Sequence, residues 1–413
     1  MPDRYPEVIV TPSDADGVAE AVRAAGREGR RVAVRSGGHN WLGSALRDGS
    51  MLIDVGLLKQ VTMRPDLSQV EVGAGATHKI LADHLVDDGF AFPIGHCPSV
   101  GLGGYLLSGG MGWNLRSWGP ACWNIAAAHI VTAEGQLTRI DDSNSADLMW
   151  ALKGGGPGFP GVVTSFVLDL FPLPHIASRS LTFRLQELPH LLSAVAEGLE
   201  ATSPGLEVSL IVRPARPGMR LDAQVTVAAT AFSRNQPEAE YRLDECTAWT
   251  RTVAIPNSDS GPRPMRLNDL EGEGGWSDQF RYAADTRWVS DRLTDLGGMI
   301  VDNVLKSPST ESRVVLAFAH LPKRKNDTAF SAMGVLTANV YATWQNASSD
   351  GENIGWLRAF VTGLNDLSSG MYIGEADTLN SALSDAYPSE KLKRLTTVAR
   401  EHDPDSVFHG FLT

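Results

Sequence analysis

The chain has 413 residues, of which 43% are hydrophobic and 20% charged, with a formal net charge of -12. That length exceeds one ordinary core, so two domains are expected. The acidic balance offers no basic stripe for phosphate and argues against a nucleic-acid partner. No run of roughly 18 apolar residues is present to span a membrane. Residues Met1-Pro2-Asp3-Arg4-Tyr5-Pro6 have no apolar stretch of the signal-peptide kind, so a cytoplasmic protein is expected. The three cysteines, Cys97, Cys122 and Cys246, suggest no disulfide framework, and no Cys/His spacing resembles a metal site.

In chain order, Ser13 is placed to cap a helix with Asp16 in its first turn, Ala19, Val22 and Ala25 at helical spacing, and Gly29 near its stop. A short strand over 31–35 feeds the loop Arg35-Ser36-Gly37-Gly38-His39. Backbone N–H groups in such a turn can point at phosphate oxygens, and Gly37 and Gly38 have no side chain to block the approach. The dinucleotide fingerprint is absent, because no G-x-G-x-x-G opens a helix here. Strands are expected over 51–55 and 69–72. A helix over 77–89 should bury Ile80, Leu81, His84 and Leu85.

A second glycine-dense loop follows, Gly95-His96-Cys97-Pro98-Ser99-Val100-Gly101-Leu102-Gly103-Gly104, and then Ser108-Gly109-Gly110-Met111-Gly112. Bare backbone from Gly101 to Gly104 suits a flat ring or a pyrophosphate. Two such loops, one with a histidine and one with a cysteine, suggest one large cofactor held from two sides. Two strands around a turn (124–140) and a third glycine loop from Lys153 to Gly161 lead to a strand ending near Leu170.

From Pro172 the character changes. Segments 179–184, 207–213, 220–230 and 313–319 alternate or run apolar as antiparallel strands do, with helices near 189–199 and 290–301 between them. This section reads as a second domain whose sheet walls a cleft. Trp249, Trp276, Trp288, Tyr341 and Trp344 are candidates to line it, against core packing as the plainer reading. A helix over 387–395 and Asp403-Pro404 close the chain.

With these residues in view, the chain resembles the berberine-bridge-enzyme-like branch of the flavin oxidoreductases with the vanillyl-alcohol-oxidase type of FAD fold. Arg35 to His39 is similar to that family's first flavin loop, Gly95 to Gly104 to its second, and Lys153 to Thr164 to its third. Tyr372-Ile373-Gly374-Glu375-Ala376-Asp377 resembles its Tyr-x-Asn-Glu-Ala-Asp, and Tyr387-Pro388 with Asp403 to Phe408 resembles its closing motif. The resemblance implies an α+β fold: a PCMH-type FAD-binding domain over 1–173, a substrate domain with a helix-flanked antiparallel sheet over 174–368, and a C-terminal return over 369–413.

It also implies FAD covalently attached through His39, at the flavin 8α carbon, and Cys97, at C6. Contacts are expected from Arg35, Ser36, Gly37, Gly38, Val100, Gly101, Gly103, Gly104, Gly109, Gly112, Asn124 and Val163. His96 and Trp113 are candidates to stand behind these residues. The implied reaction is hydride transfer from an alcohol, sugar or secondary metabolite to flavin N5, with dioxygen as acceptor giving hydrogen peroxide. The alternatives are a dehydrogenase using another acceptor, a flavin binder without turnover, and a nicotinamide-dependent reductase with non-covalent FAD. No metal is expected, and the sequence assigns neither a particular substrate nor an oligomeric state.

Taken alone, His39 reads as a turn histidine, Tyr372 as core, and Cys122 and Cys246 as inert. Cys97 offers the nucleophilic sulfur that adding to a ring carbon requires. Tyr372 is the preferred base, though a phenol with pKa ~10 needs help to act near neutrality. Glu375 competes, and would need its pKa raised to ~6–7 by burial. One departure stands beside them: Gly374 occupies the position of the family's asparagine.

Overall fold

The computed structural model describes residues 3–64, 68–215, 222–272, 279–323 and 327–411. The first helix, Ala15–Arg27, buries the stripe Val18, Ala19, Ala21, Val22 and Ala25. Its cap is Asp14 rather than Ser13: the Asp14 carboxylate accepts the Gly17 N–H at 2.8 Å, and the Ser13 hydroxyl donates to Asp14 instead. The charged acceptor at a helix N-terminus takes the site from the neutral one. Helix His78–Asp87, capped by Thr77, buries His78, Leu81, Ala82 and Leu85. His84 falls off that i, i+3, i+4, i+7 stripe. It is exposed, with its ring bonded back to the Ile80 carbonyl at 2.8 Å, so the inward histidine is His78.

Two sheets carry the glycine loops. Val8–Val10, Met51–Asp54 and Val32–Arg35 pair in parallel in that spatial order. An antiparallel sheet runs Val61–Met63, Gln69–Gly73, Val162–Asp169, Ile125–Val131, Leu137–Asp141. The end of the chain returns to the first of these. Val32 N–H donates to the Val407 carbonyl at 2.7 Å and its own carbonyl accepts from His409 at 2.8 Å. Asp403 holds the turn by accepting the Val407 and Phe408 N–H groups.

The third sheet is antiparallel, with nine strands among the described residues. Its central order is His175–Arg184, Gln224–Ser233, Leu206–Arg213, Arg313–Phe318, Leu336–Trp344, Arg281–Val289. The last two of these strands and the helices Gln236–Arg251 and Asp350–Gly363 were not expected from sequence. Leu336–Trp344 has Ala338, Asn339 and Ala342 within it, which masks its strand character. Of the segment expected over 220–230, the strand begins at Gln224, and Arg220 and Leu221 lie outside the described residues, as does Trp276.

Alternation along these strands divides the sheet's two faces. Val314, Leu316 and Phe318, with Val208, Leu210, Val212, Leu336, Ala338 and Val340, pack into one apolar core with Leu191, Leu192, Leu296, Ile300 and Phe360 of the helices. Their neighbours Arg313, Val315 and Ala317, with Ser209, Ile211, Thr337, Asn339 and Tyr341, face a cavity instead. A second core draws mainly on both ends of the chain, from Val18 to Ile176 and again from Met371 to Phe408, and takes in Phe232, Leu267, Leu270, Trp288, Ala319, Ala329 and Phe330 from between them.

Candidate active site

A cavity of about 920 Å³ lies between the glycine loops and the open face of the third sheet. That is near the top of the ~300–1,000 Å³ typical of ligand pockets. The two loops that form its first wall touch backbone to backbone. A Cβ at Gly37 would sit 2.4 Å from the Gly101 nitrogen, and one at Gly101 would sit 2.3 Å from Ser36 Oγ. Only glycine fits at either position. Ser36 Oγ donates to the Ala74 carbonyl at 2.7 Å, and Gly103 N–H donates to the same oxygen at 3.0 Å, which ties both loops to one point. Gly38 adopts φ 73°, a left-handed conformation that suits glycine.

His39 and Cys97 meet across this junction through one hydroxyl. Ser99 Oγ lies 3.1 Å from His39 Nε2 and 3.3 Å from Cys97 Sγ. Burial pushes the His39 imidazole below its ordinary pKa, so it is neutral near pH 7. Behind the loop, His78 is wholly buried and held down to about 3 by that burial. It is a neutral ring wedged against Gly95 and the Cys97 carbonyl, and a Cβ at Gly95 would strike it at 2.5 Å.

Arg35, Ser36, Gly37, Gly38, His39, Cys97, Val100, Gly101, Gly103, Gly104, Gly112 and Val163 line the cavity with Tyr372 and Glu375. Gly109 and Asn124 stand outside that lining. Gly109, at φ 109°, packs under Phe330, whose ring a Cβ would meet at 2.2 Å, and it serves the turn after helix Leu102–Leu107. The Asn124 amide turns back to the Trp118 carbonyl. Of the aromatic candidates, Tyr341 lines the cavity. Trp288 and Trp344 are core, the latter donating to Asp350 at 2.7 Å, and Trp249 packs over Gly198. Cys122 and Cys246 are buried, and burial pushes the Cys246 thiol up to about 12, as suits an inert sulfur.

Tyr372 and Glu375 sit one turn apart but in different surroundings. The Tyr372 hydroxyl accepts the Gly110 N–H at 3.3 Å, and burial followed by the nearby Glu375 drives its phenol above the ordinary value. A Cβ at Gly374 would lie 2.7 Å from that ring, so the Tyr372 ring fills the space an asparagine would need. Glu375 takes a hydrogen bond from Trp41 Nε1 and another from Tyr341. Burial pushes its carboxyl up to about 7, against those bonds and the charge of Arg313. Trp41 also packs on Tyr341 and Tyr282, with ring centroids at 5.2 and 5.9 Å. Burial thus shifts the Glu375 carboxyl toward the range a base needs near neutrality and the Tyr372 phenol away from it.

Several site residues were missed in the sequence. Ser99 and Trp41 lay inside or beside the glycine loops, each two residues from a tether candidate, and that spacing was the available signal. Glu207 reaches from the sheet to His96 Nε2 at 2.5 Å and to the Asn114 N–H at 2.7 Å, joining the two walls. Arg313 opens its strand and Glu207 is the second residue of its own, each in phase with the cavity-facing residues that follow. The lining suits a flavin dinucleotide. It offers glycine backbone on one side and side-chain donors on the other, and Trp113 Nε1 and His78 Nε2, both in the lining, are buried without a hydrogen-bond partner.

Residues 6–141 match the FAD binding domain family. The FAD-linked oxidoreductase nodO of Hypoxylon pulicicidum is 27% identical over 432 aligned residues, which span all of this chain and 92% of that protein. The (R)-6-hydroxynicotine oxidase of Paenarthrobacter nicotinovorans is 27% identical across 98% of this chain and 90% of its own. The crystal structure of 6-hydroxy-D-nicotine oxidase from Arthrobacter nicotinovorans superposes with a TM-score of 0.85 at 25% identity, covering 99% of this chain and 92% of that one. No described helix is long and apolar enough to cross a membrane. Fold, cavity and relatives agree: the chain is an FAD-linked oxidoreductase on the PCMH-type fold, similar along its whole length to these enzymes.

Proposed function

We propose that the protein is an FAD-linked oxidase whose flavin is held by two covalent bonds, to His39 and Cys97. It oxidises a small molecule bearing a C–H next to a hydroxyl or other acidic group. The observation that carries the reading is one cavity that presents the His39–Ser99–Cys97 chain on its loop wall and, beside it, a half-buried Glu375 whose carboxyl pKa desolvation raises. The chain divides into a FAD-binding domain over 1–173, a substrate domain over 174–368 and a C-terminal return over 369–413, as the two apolar cores suggest.

FAD, which His39, Cys97 and the glycine loops would hold, would supply a hydride acceptor at N5 and a route for the electron pair and two protons to dioxygen, giving hydrogen peroxide. Everything else falls to the chain. Cys97 and His39 hold the ring, and Ser99, in contact with both, sets their separation. The first two loops keep side chains away from the cofactor at Gly37, Gly38, Gly101 and Gly103. Glu375 removes the substrate's acidic proton as the adjacent C–H bond gives up its hydride. A carboxyl near pKa 7 has the strength for this and is half ionised at neutral pH. Trp41 and Tyr341 fix its orientation from two sides. Tyr372, bonded to the Gly110 N–H, keeps its proton and supports the floor beneath the reacting atoms.

A panel of alcohols, sugars and phenolic alcohols mixed with the purified protein without oxygen tests this reading. Bleaching of the flavin by one of them, then rapid return of colour and peroxide in air, is the expected result. Bleaching without return assigns a dehydrogenase, and no bleaching by any of them, with slow reoxidation after photoreduction, assigns a passive flavin binder.

A further inference from the structure

Arg313 acts on Glu375 through its charge, but the oxidase chemistry gives its guanidinium N–H groups nothing to hold. It begins strand Arg313–Phe318, in register with Tyr341 on the neighbouring strand, and faces the cavity with Val315 and Ala317. Its guanidinium carbon sits over the Tyr341 ring, 5.0 Å from the centroid, which fixes its direction. Its Nε is buried and has no hydrogen-bond partner, and Glu375, the carboxylate its charge reaches, makes no ion pair with it among the described residues.

The other arginines of the lining differ. Arg35 holds Asp54 at 3.1 Å, and Arg179 holds both Asp244 and Asp259. Glu207, the buried acid of the same sheet face, holds His96. Each of these charges is committed within the protein. An unmatched guanidinium N–H shielded from water is costly unless something completes it. The planar fork is also the side chain best shaped to take a carboxylate or another anionic oxygen.

We infer that Arg313 is the substrate-recognition residue of this cavity and that the substrate carries an anionic oxygen, a carboxylate or an ionised phenol or enol, which the guanidinium binds while the oxidisable carbon lies at Glu375. The inference rests on the reading that FAD and Glu375 share this cavity. It divides the substrate classes open to the fold: a neutral sugar leaves the Arg313 N–H groups without an anionic oxygen, and an ammonium group is repelled. The Tyr341 ring beneath the guanidinium and the Trp41 ring packed on it, both in the lining, supply an apolar surface for the body of such a molecule.

The test is binding rather than turnover. The holoenzyme is titrated with benzoate, 4-nitrophenolate, benzyl alcohol and benzylamine, followed by flavin difference absorbance and by calorimetry. At least one anion should bind roughly tenfold or more tighter than benzyl alcohol, with benzylamine the weakest, since a charged hydrogen bond carries that much discrimination. A lead for benzoate points to a carboxylic acid and a lead for 4-nitrophenolate to an acidic phenol or enol. Arg313→Gln should abolish the preference while leaving benzyl alcohol affinity and flavin content unchanged, and Arg313→Lys should keep part of it. Equal affinity for anion and alcohol in the wild type, or full anion preference in Arg313→Gln, overturns the inference. A failed oxidase reading shows itself differently, as anion selectivity that follows Arg313 in a protein that no substrate bleaches.

Discussion

The cavity's two walls are built by opposite means. The loop wall is backbone: Gly37 and Gly101 touch with no room for a Cβ, and Ser36 and Gly103 converge on the Ala74 carbonyl. The sheet wall is side chain: Arg313, Asn339, Tyr341 and Glu207 project from strands whose other face is an ordinary apolar core. The loop wall is suited to gripping one cofactor whatever is being oxidised. The sheet wall can change its occupant by changing a projecting residue and leaving the strand intact. Glu375 lies where the two meet, held by Trp41 from the loop side and Tyr341 from the sheet side.

This contrast predicts a graded set of failures. The largest is at the junction. Glu375→Gln should slow flavin reduction by ~10²–10⁴-fold, the usual contribution of a positioned base, measured by anaerobic stopped-flow with the best substrate of the panel. In the wild type the same rate should rise with pH through about 7, because the ionised carboxylate is the active form, and that limb should vanish in the variant. A pH-independent wild-type rate would remove Glu375 from the mechanism.

Next comes the loop wall. Gly101→Ala drives a methyl to within 2.3 Å of Ser36 Oγ and 2.5 Å of the Gly37 nitrogen. The loops must part, at a cost of ~1–3 kcal/mol in urea unfolding and with loss of flavin incorporation. Retention of full flavin would show the contact to be dispensable.

The same buried carboxyl also limits stability. Its pKa rises from 4.5 to about 7 in the folded state, so folding favours the protonated form. The stabilisation from that proton is complete below pH 4.5 and is lost as pH rises through about 7. Glu375→Gln, which cannot ionise, should therefore be more stable than wild type by ~1–2 kcal/mol near pH 8 and should lose that advantage near pH 5. An advantage that does not change with pH would contradict the shift.

The smallest effect is expected at Tyr372. Tyr372→Phe leaves the Gly110 N–H without its 3.3 Å partner and should cost ~1 kcal/mol of stability, with less than a tenfold change in flavin reduction. A loss as large as that of Glu375→Gln would return the role of base to the phenol.

The contrast between the walls also explains what could be read in the sequence. Glycines in close contact leave a record as residue type, so the loop positions from Arg35 to Gly104 were legible one by one. The sheet wall leaves only alternation. Arg313 and Glu207 looked like the ordinary polar starts of strands, and nothing local showed that their faces turned inward. The strands Arg281–Val289 and Leu336–Trp344, which carry Trp288 and Tyr341, were passed over altogether. The order of preference between Tyr372 and Glu375 was likewise unreadable, since it depends on burial by Trp41 and Tyr341, which lie 334 and 34 positions away in the chain. Even the misplaced caps and faces, Ser13 for Asp14 and His84 for His78, were decided by geometry finer than spacing.

The central claim is that His39 and Cys97 hold one flavin between them. Intact mass of the protein after denaturation, followed by a peptide map, measures this directly. The account predicts one FAD retained per chain, with the peptides containing His39 and Cys97 recovered joined through it. A denatured chain at the mass of its amino acids alone, with both peptides unmodified and the yellow colour in solution, would contradict it.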